Sequence, residues 1–501
     1  MEHPDLAQAA AVLGALGVVL VLLPRGRWPL LAGFATLGAA EAMLGAALVP
    51  SSDLRLVLER PALTGAAAIG IALVLAGAGL FVRQPALGTV TLLLAAPFRI
   101  PVEIGQTEAF LLVPLYVILA AAVLALATRA LRGEALPRLP SLVAVPATVF
   151  ICLLAASALW SRDLRAGSIQ LAFFLFPFAG LLAVAARTPF PAWLPRALAV
   201  ALVGVASLFA LIGLWQAWTE RLFFARDLEV ANAYTSFFRV TSLFKDPSAY
   251  GRHLVLAIAV VLVALWLGRV HVLAAGAVIS LLFAGLYFSY SQSSLVTLFV
   301  VTVAVTLVAG DRRTRRAVGA ACAVCVLVGA SAVAVTVRDE SAQKFTSGRS
   351  NLIRNTTEVF LRHPVAGVGI GAQPRASREE VNPNSLAVRN TSHTTPLTVA
   401  AEVGLIGLAA YVAFLLGAAW LLLETARLNR PLGIGLAAVF FVLVVHSLVY
   451  SGFVEDPLTW ATLALGSGCL AAQRSPVPAA APGESPALAP AAASIAHGPH
   501  H

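Results

Sequence analysis

Residues 396–423 read PLTVAAEVGLIGLAAYVAFLLGAAWLLL, an apolar run whose one charged residue is Glu402. A helix needs about 20 apolar residues to cross the hydrocarbon core of a bilayer, so this run is read as a membrane span. It is one of a series. Toward the C-terminus, similar runs lie near residues 431–450 and 456–472. Toward the N-terminus they lie near 316–337, 293–310, 269–288, 249–267, 195–217, 166–186, 141–160, 108–128, 86–98, 61–82, 28–50 and 6–24. The run at 86–98 is short and ends near Pro97 and Pro101, which suits a broken or re-entrant segment.

Hydrophobic residues make up 59% of the 501 and charged residues 12%, about half the charge of a soluble domain. Only helices and closed barrels satisfy their backbone polar groups in lipid, and the runs lack the strict alternation of barrel strands. The fold class is therefore all-α: a polytopic integral membrane helical bundle of about 14–15 transmembrane helices. The segments expected are N-terminal helices over 1–82, the first half of the core over 83–218 and a polar loop over 219–248. Helices follow over 249–337, then a large polar loop over 338–395, C-terminal helices over 396–474 and a Pro/Ala-rich tail over 475–501. The tail has too few large apolar residues to bury a core and is expected to be disordered.

Short loops carrying Arg25 and Arg27, Arg129, Arg132 and Arg138, Arg187 and Arg196, Arg269, the cluster Arg312, Arg313, Arg315 and Arg316, then Arg427, Arg430 and Arg474 fall on one side when spans alternate. The positive-inside rule makes that side cytoplasmic. Arg162 and Arg165 fall on the other side, against the trend. The two long polar loops then lie outside the cytoplasm. The net charge of +10 is spread among the spans, which argues for topology and lipid head groups and for no nucleic acid. The start, MEHPDLAQ, lacks the basic region of a cleaved signal peptide, so the first run is expected to stay as a helix. Cys152, Cys322, Cys325 and Cys469 all lie in apolar runs, so no disulfide is expected in the polar loops, and the Cys322–Cys325 pair reads as packing.

The loop 338–395 concentrates the chain's chemistry. It holds eight basic and five acidic residues, a net of +3, with His363 and His393. Within it SNLIRNTTEVFLR (350–362) places Leu352, Ile353, Val359 and Phe360 at helical spacing. Arg349, Arg354, Asn355, Glu358 and Arg362 fall mostly on the other flank, which describes an amphipathic surface helix. Pro364 should end it, and GVGIG (367–371) reads as a flexible turn; with no strand before it, it is no nucleotide-binding loop. His393-Thr394, nine residues and then Gly404-Leu-Ile-Gly407 put His393 at the mouth of the bundle, with Glu402 about two and a half turns deeper. A histidine beside arginines at such a mouth is a solvated loop residue or a general base.

The loop 219–248 ends in FFRVTSLFKDPSAYGR (237–252), where Arg239, Lys245 and Arg252 bracket the start of a span. Lys245 and Arg252 suit head-group snorkelling as well as function, whereas Arg239 sits among Phe237, Phe238 and Phe244. The planar fork of Arg239 suits a bidentate diphosphate contact. YFSYSQSS (287–294) is a hydroxyl-rich corner that suits ligand binding or an aromatic belt with a Ser-rich helix cap. His446 and the Glu455-Asp456 pair border the last external turn and Glu41 lies within the second span; each reads as a polar group paired with a neighbour, and none is assigned a role.

RSNLIRNTTEVFLRHPVAGVGIG followed by SHTTPLTVAAEVGLIGL resembles the C-terminal region of the O-antigen ligase and polymerase superfamily, and FRVTSLFKDPSAYGRHL resembles the element that precedes it there. The likeness covers residues 239–468. Two positions depart from it: Thr394 stands where Asn, Ser or Gln is usual, and Gln292 where an arginine is frequent. The resemblance implies an inverting glycosyl transfer from an undecaprenyl-diphosphate-linked glycan to a glycan, lipid or polymer acceptor. It places the reaction at the outer face of the bacterial cytoplasmic membrane, with no cofactor and no metal. It further implies that Arg239 and Arg349 grip the diphosphate, that Arg252, Arg354 and Lys245 assist, and that His393 takes the acceptor's proton. His363, Glu402 and Gln292 are secondary candidates. The alternative is a transporter or flippase of a polyisoprenyl-linked glycan, which would favour charges within the spans and a pseudo-repeat; no internal repeat is evident.

Overall fold

The structure is a computed structural model, and it describes residues 3–24, 26–49, 59, 61–104, 107–323, 349–381, 383 and 392–474. Among the described residues, eleven helices are long and apolar enough to cross a membrane. The protein is a multi-pass helical bundle. Residues 312–323 are helical; the rest of the expected span at 316–337, Cys325, the loop residues 338–348, 382 and 384–391, and the tail at 475–501 lie outside the described residues.

Helices α1 (Pro4–Leu22) and α2 (Arg27–Leu48) pair as a hairpin. Helix α3 (Pro61–Arg83) leads into α4 (Pro85–Ala95), whose 11 residues reach about halfway across a bilayer. A β-hairpin follows in place of a continuation: β1 (Ile100–Ile104) pairs antiparallel with β2 (Thr107–Leu111), Ile100 opposite Leu111. The expected run at 86–98 is thus a half-length helix, and the expected span at 108–128 begins as strand before α5 (Val113–Leu131). Pro97 and Pro101 explain the change, since neither can donate an amide to prolong a helix.

The sequence continues through α6 (Ser141–Ser157), α7 (Leu164–Ala185), α8 (Leu194–Thr219), the short α9 (Arg226–Asn232), α10 (Pro247–Trp266), α11 (Val272–Ser289) and α12 (Gln292–Ala309). Then come α13 (Arg349–Arg362), α14 (Gln373–Ala376), α15 (Thr395–Leu428), α16 (Arg430–Ser447) and α17 (Pro457–Arg474). Helix α10 is the axis of the bundle: it packs against α8, α11, α12 and α16, and most of its residues are buried. Helix α15 packs on α6, α16 and α17, and a run of rings locks it there. Phe150 lies 5.5 Å from Tyr411 and 6.0 Å from Phe414, and Phe414 lies 5.4 Å from Trp460.

Two prolines inside spans have visible consequences. Pro177 removes the amide that would bond the carbonyl of Phe173. The helix there relaxes into a π-turn over Leu171–Leu175, and the hydroxyl of Tyr116 donates to the freed carbonyl at 2.6 Å. Pro146 likewise frees the carbonyl of Leu142, which lies so close to Gly417 of α15 that a Cβ there would sit 2.1 Å from it.

The run that opened the reading is not one continuous helix. Helix α15 breaks at Gly404, whose backbone takes φ 66° and ψ −164°. The break is filled by the loop after α13. Val368 N donates to Ala401 O at 3.0 Å, Gly369 N to Glu402 O at 2.8 Å and Leu405 N to Pro364 O at 2.8 Å. These bonds satisfy backbone groups that a broken helix would leave bare, the condition for irregular backbone at membrane depth. The expectation of a flexible GVGIG turn is therefore corrected. Gly367, Gly369 and Gly371 all have positive φ, and a Cβ on Gly367 would sit 2.3 Å from the backbone of Glu402. On its other side the loop is pinned by Arg162 N to Val368 O at 3.2 Å, Ile370 N to Ser157 Oγ at 3.0 Å and Ser161 Oγ to Ile370 O at 2.8 Å.

Helix α13 is amphipathic as expected, but rotated. Its buried face is Asn355, Thr356 and Val359, while Ile353 and Leu361 are exposed. Val359 packs with Val368, Ala372, Ala376 and Ala401, and Gln373 Nε2 donates to Thr356 Oγ1 at 2.8 Å. A polar contact with α14 outcompetes the apolar stripe read from spacing.

Candidate active site

The element ending in Arg252 is built by amide and carboxylate side chains. Asn232 clamps the backbone of Arg239 from both sides: its Oδ1 accepts from Arg239 N at 3.1 Å and its Nδ2 donates to Arg239 O at 3.0 Å. Gln216, fully buried at the end of α8, accepts from the amides of Thr241 and Ser242 and donates to Ser242 O at 2.9 Å. The half-buried guanidinium of Arg239 thereby faces the end of α11, its Nε 3.4 Å from Ser289 O. Asp246 caps α10, accepting from Ser248 N at 2.6 Å and Ala249 N at 3.2 Å, with Pro247 following as the favoured first residue.

One turn into α10, Arg252 is buried. Its Nη2 lies 2.8 Å from Asp456 Oδ2, and its Nη1 donates to Gly452 O at 3.2 Å, while Nε has no hydrogen-bond partner. Arg99, half-buried just before β1, lies within electrostatic reach of Arg252, Asp456, Glu455 and Tyr116; burial first, then the nearby Arg252, lowers its pKa. Burial likewise raises the pKa of Glu455. Sequence reading left Glu455 and Asp456 without a role and missed Arg99, whose one signal was an isolated arginine in the break PFRIP.

His393 stands at the foot of α15 with its backbone in the left-handed region, φ 58°. A non-glycine residue held there stores strain, which is common at functional positions. Its ring lies 5.6 Å from that of Tyr450, and the ring of His446 lies 5.4 Å from Tyr450 on another side. The Tyr450 hydroxyl bonds to Asp246, and burial raises its pKa. Tyr450, unnoticed in the sequence, thus joins His393 to the capping carboxylate of the helix that carries Arg252.

The hydroxyl-rich corner is a buried cap. Ser291 Oγ bonds Ser248, Ser293 and Ser294, and Ser294 Oγ lies 3.4 Å from His446 Nε2. Gln292 is exposed on the first turn of α12. Lys245 and Arg354 are exposed. The backbone of Arg349 begins α13. His363 belongs to a separate network: its Nε2 lies 3.0 Å from Glu380 Oε1, and Arg162 pairs with the same carboxylate. Burial alone would raise the pKa of Glu380, but the bonds from His363 and Arg162 prevail and lower it. Among the described residues, no group of three or more His, Cys, Asp or Glu converges as metal ligands do.

Glu402 lies at the break in α15, 4% exposed, with the backbone amides of Gly371 and Gln373 bonding its carboxylate. The site therefore joins three chain segments, the foot of α10, the foot of α15 and the turn between α16 and α17. It offers an imidazole, several guanidinium groups and buried carboxyl groups. That set can move a proton and hold an anion.

No curated protein matches the chain. Residues 276–412, which include α13, the glycine loop, His393 and the break at Gly404, match the family model described as O-antigen ligase. This match, over about a quarter of the chain, supports the O-antigen ligase and polymerase superfamily and a glycosyl-transferring enzyme of polysaccharide assembly, set in a multi-pass membrane protein.

Proposed function

We propose that the protein transfers a glycan from an undecaprenyl-diphosphate carrier to an acceptor hydroxyl at the outer face of the cytoplasmic membrane. The observation that carries this reading is the contact of His393 with Tyr450, which brings the loop of the matched region against the element holding Arg252. The acceptor oxygen attacks the anomeric carbon as the bond to the diphosphate breaks, and the acceptor's proton passes to the His393 imidazole. A single displacement inverts the anomeric centre. The leaving diphosphate gathers charge, which Arg239 and Arg349 stabilise, with Arg252, Arg354 and Lys245 in support. With arginines supplying that charge, the reaction needs no metal. Ion pairing with Asp456 gives Arg252 a supporting rather than a gripping part.

Purified protein given a lipid-linked glycan and a panel of acceptors in the presence of a chelator should yield an inverted glycosidic product. Failure with every acceptor, or translocation of the intact donor without bond formation, would replace this reading with a carrier.

A further inference from the structure

A cavity of about 50 Å³ lies between α6, α7, the start of α15 and the turn after α16. Gln170, Phe174, Thr395, Glu402, Ser451 and Glu455 line it. Three of its oxygens are buried without a hydrogen-bond partner: Thr395 Oγ1, Glu402 Oε1 and Glu455 Oε2. Thr395 is 5% and Glu402 4% exposed, so these atoms have no bulk water to turn to. An orphaned buried oxygen costs about 1–3 kcal/mol, and three around one space imply a donor that belongs there. The backbone amides of Gly371 and Gln373 hold the Glu402 carboxylate in place while Oε1 stays open. Leu154, Leu175, Val399 and Val454 add apolar lining, and Phe174 stands on the π-turn that Pro177 imposes.

We propose that this cavity is a sugar subsite in which Glu402 and Glu455 accept hydrogen bonds from hydroxyls of one sugar residue while Phe174 faces its apolar side. The volume holds about three waters, the number a few hydroxyl groups would displace. Carboxyl and amide groups in one cavity with an aromatic ring suit a neutral polyol rather than a phosphate. The Glu455 carboxyl, its pKa raised by burial, can also donate when protonated. Thr395 is two residues from His393, and Ser451 follows Tyr450, whose ring the imidazole contacts, so short chain segments join the subsite to the proposed base. The subsite rests on the glycosyl-transfer reading and names its substrate class. The sugar comes from the donor or from the acceptor.

The test reads binding, not turnover. Wild-type protein, Glu402→Gln, Glu455→Gln and Phe174→Leu in nanodiscs are screened against methyl glycosides of the common hexoses and N-acetylhexosamines by saturation-transfer NMR. They are also titrated with undecaprenyl diphosphate, bare and carrying N-acetylglucosamine. At least one glycoside should contact the wild type, and each variant should bind it about tenfold more weakly, the loss of one buried hydrogen bond or ring contact. Bare carrier should bind all four proteins equally, which separates the subsite from misfolding. Displacement of the glycoside by the sugar-bearing carrier assigns the subsite to the donor, and binding beside that carrier assigns it to the acceptor. No glycoside contact with wild type, equal contact with Glu402→Gln and Glu455→Gln, or contact abolished by a chelator would overturn the proposal. None of these results depends on whether His393 is the base.

Discussion

Arg252 Nη2 and Asp456 Oδ2 lie 2.8 Å apart in a buried pair that ties the foot of α10 to the turn before α17. Breaking a buried pair leaves one charge uncompensated, at a cost of about 3–5 kcal/mol. Asp456→Ala should lower the thermal midpoint of the purified protein markedly. Replacing both partners, as in Arg252→Met with Asp456→Leu, should recover most of the loss. Equal destabilisation in the single and double variants would show that the pair itself is not what holds these segments.

Gly404→Ala tests the broken helix. A Cβ there would lie 2.0 Å from Val365 O in a backbone conformation with φ 66°, and strain of that kind costs about 1–3 kcal/mol before the clash is counted. Limited proteolysis should then cut the loop after α13, which in the wild type is pinned between Ser157 and α15. An unchanged cleavage pattern would count against the docking.

The clamp at Glu380 should respond to pH. Its folded pKa is held below the usual carboxylate range by His363 and Arg162, against burial. The stabilisation it supplies is therefore complete above the unfolded pKa and fades as pH falls through the lower folded value. The protection of amides in residues 363–381, measured relative to their intrinsic exchange rate at each pH, should fall on acidification from about pH 6 to about pH 3. Glu380→Gln should exchange faster at the upper end and lose that dependence.

Arg239 is held in place by its backbone, so its side chain can be varied without unseating the loop. Arg239→Ala should weaken binding of undecaprenyl diphosphate about tenfold, the loss of a charge-assisted contact. Arg239→Lys should restore little of it if the grip is bidentate. Full rescue by lysine would reduce Arg239 to a point charge, and normal binding by the alanine variant would remove it from the donor site.

How much of this was legible in the sequence depended on the length of the pattern. Apolar runs of about 20 residues declare spans, and the runs at 166–186 and 195–217 became α7 and α8 within a few residues. The break at Gly404 was hidden because glycine is ordinary in membrane helices; only the loop docked into it shows why Gly404 meets the backbone of Val365 and Gly367 that of Glu402. The amphipathic stripe misplaced Ile353 and Asn355 because Thr356 found a polar partner in Gln373. His393 and Arg252 could be singled out by position and type. Their link through Tyr450 and Asp246 is a three-dimensional fact, for Tyr450 reads locally as one more residue at the end of an apolar run.

The central claim is that the imidazole of His393 accepts the acceptor's proton while arginines hold the departing diphosphate. Its most direct test is transfer by purified His393→Ala protein supplied with lipid-linked glycan and acceptor, with donor binding measured on the same sample. The account predicts product formation reduced by at least about 10²-fold with donor affinity within about twofold of wild type. Product formed at the wild-type rate would contradict it.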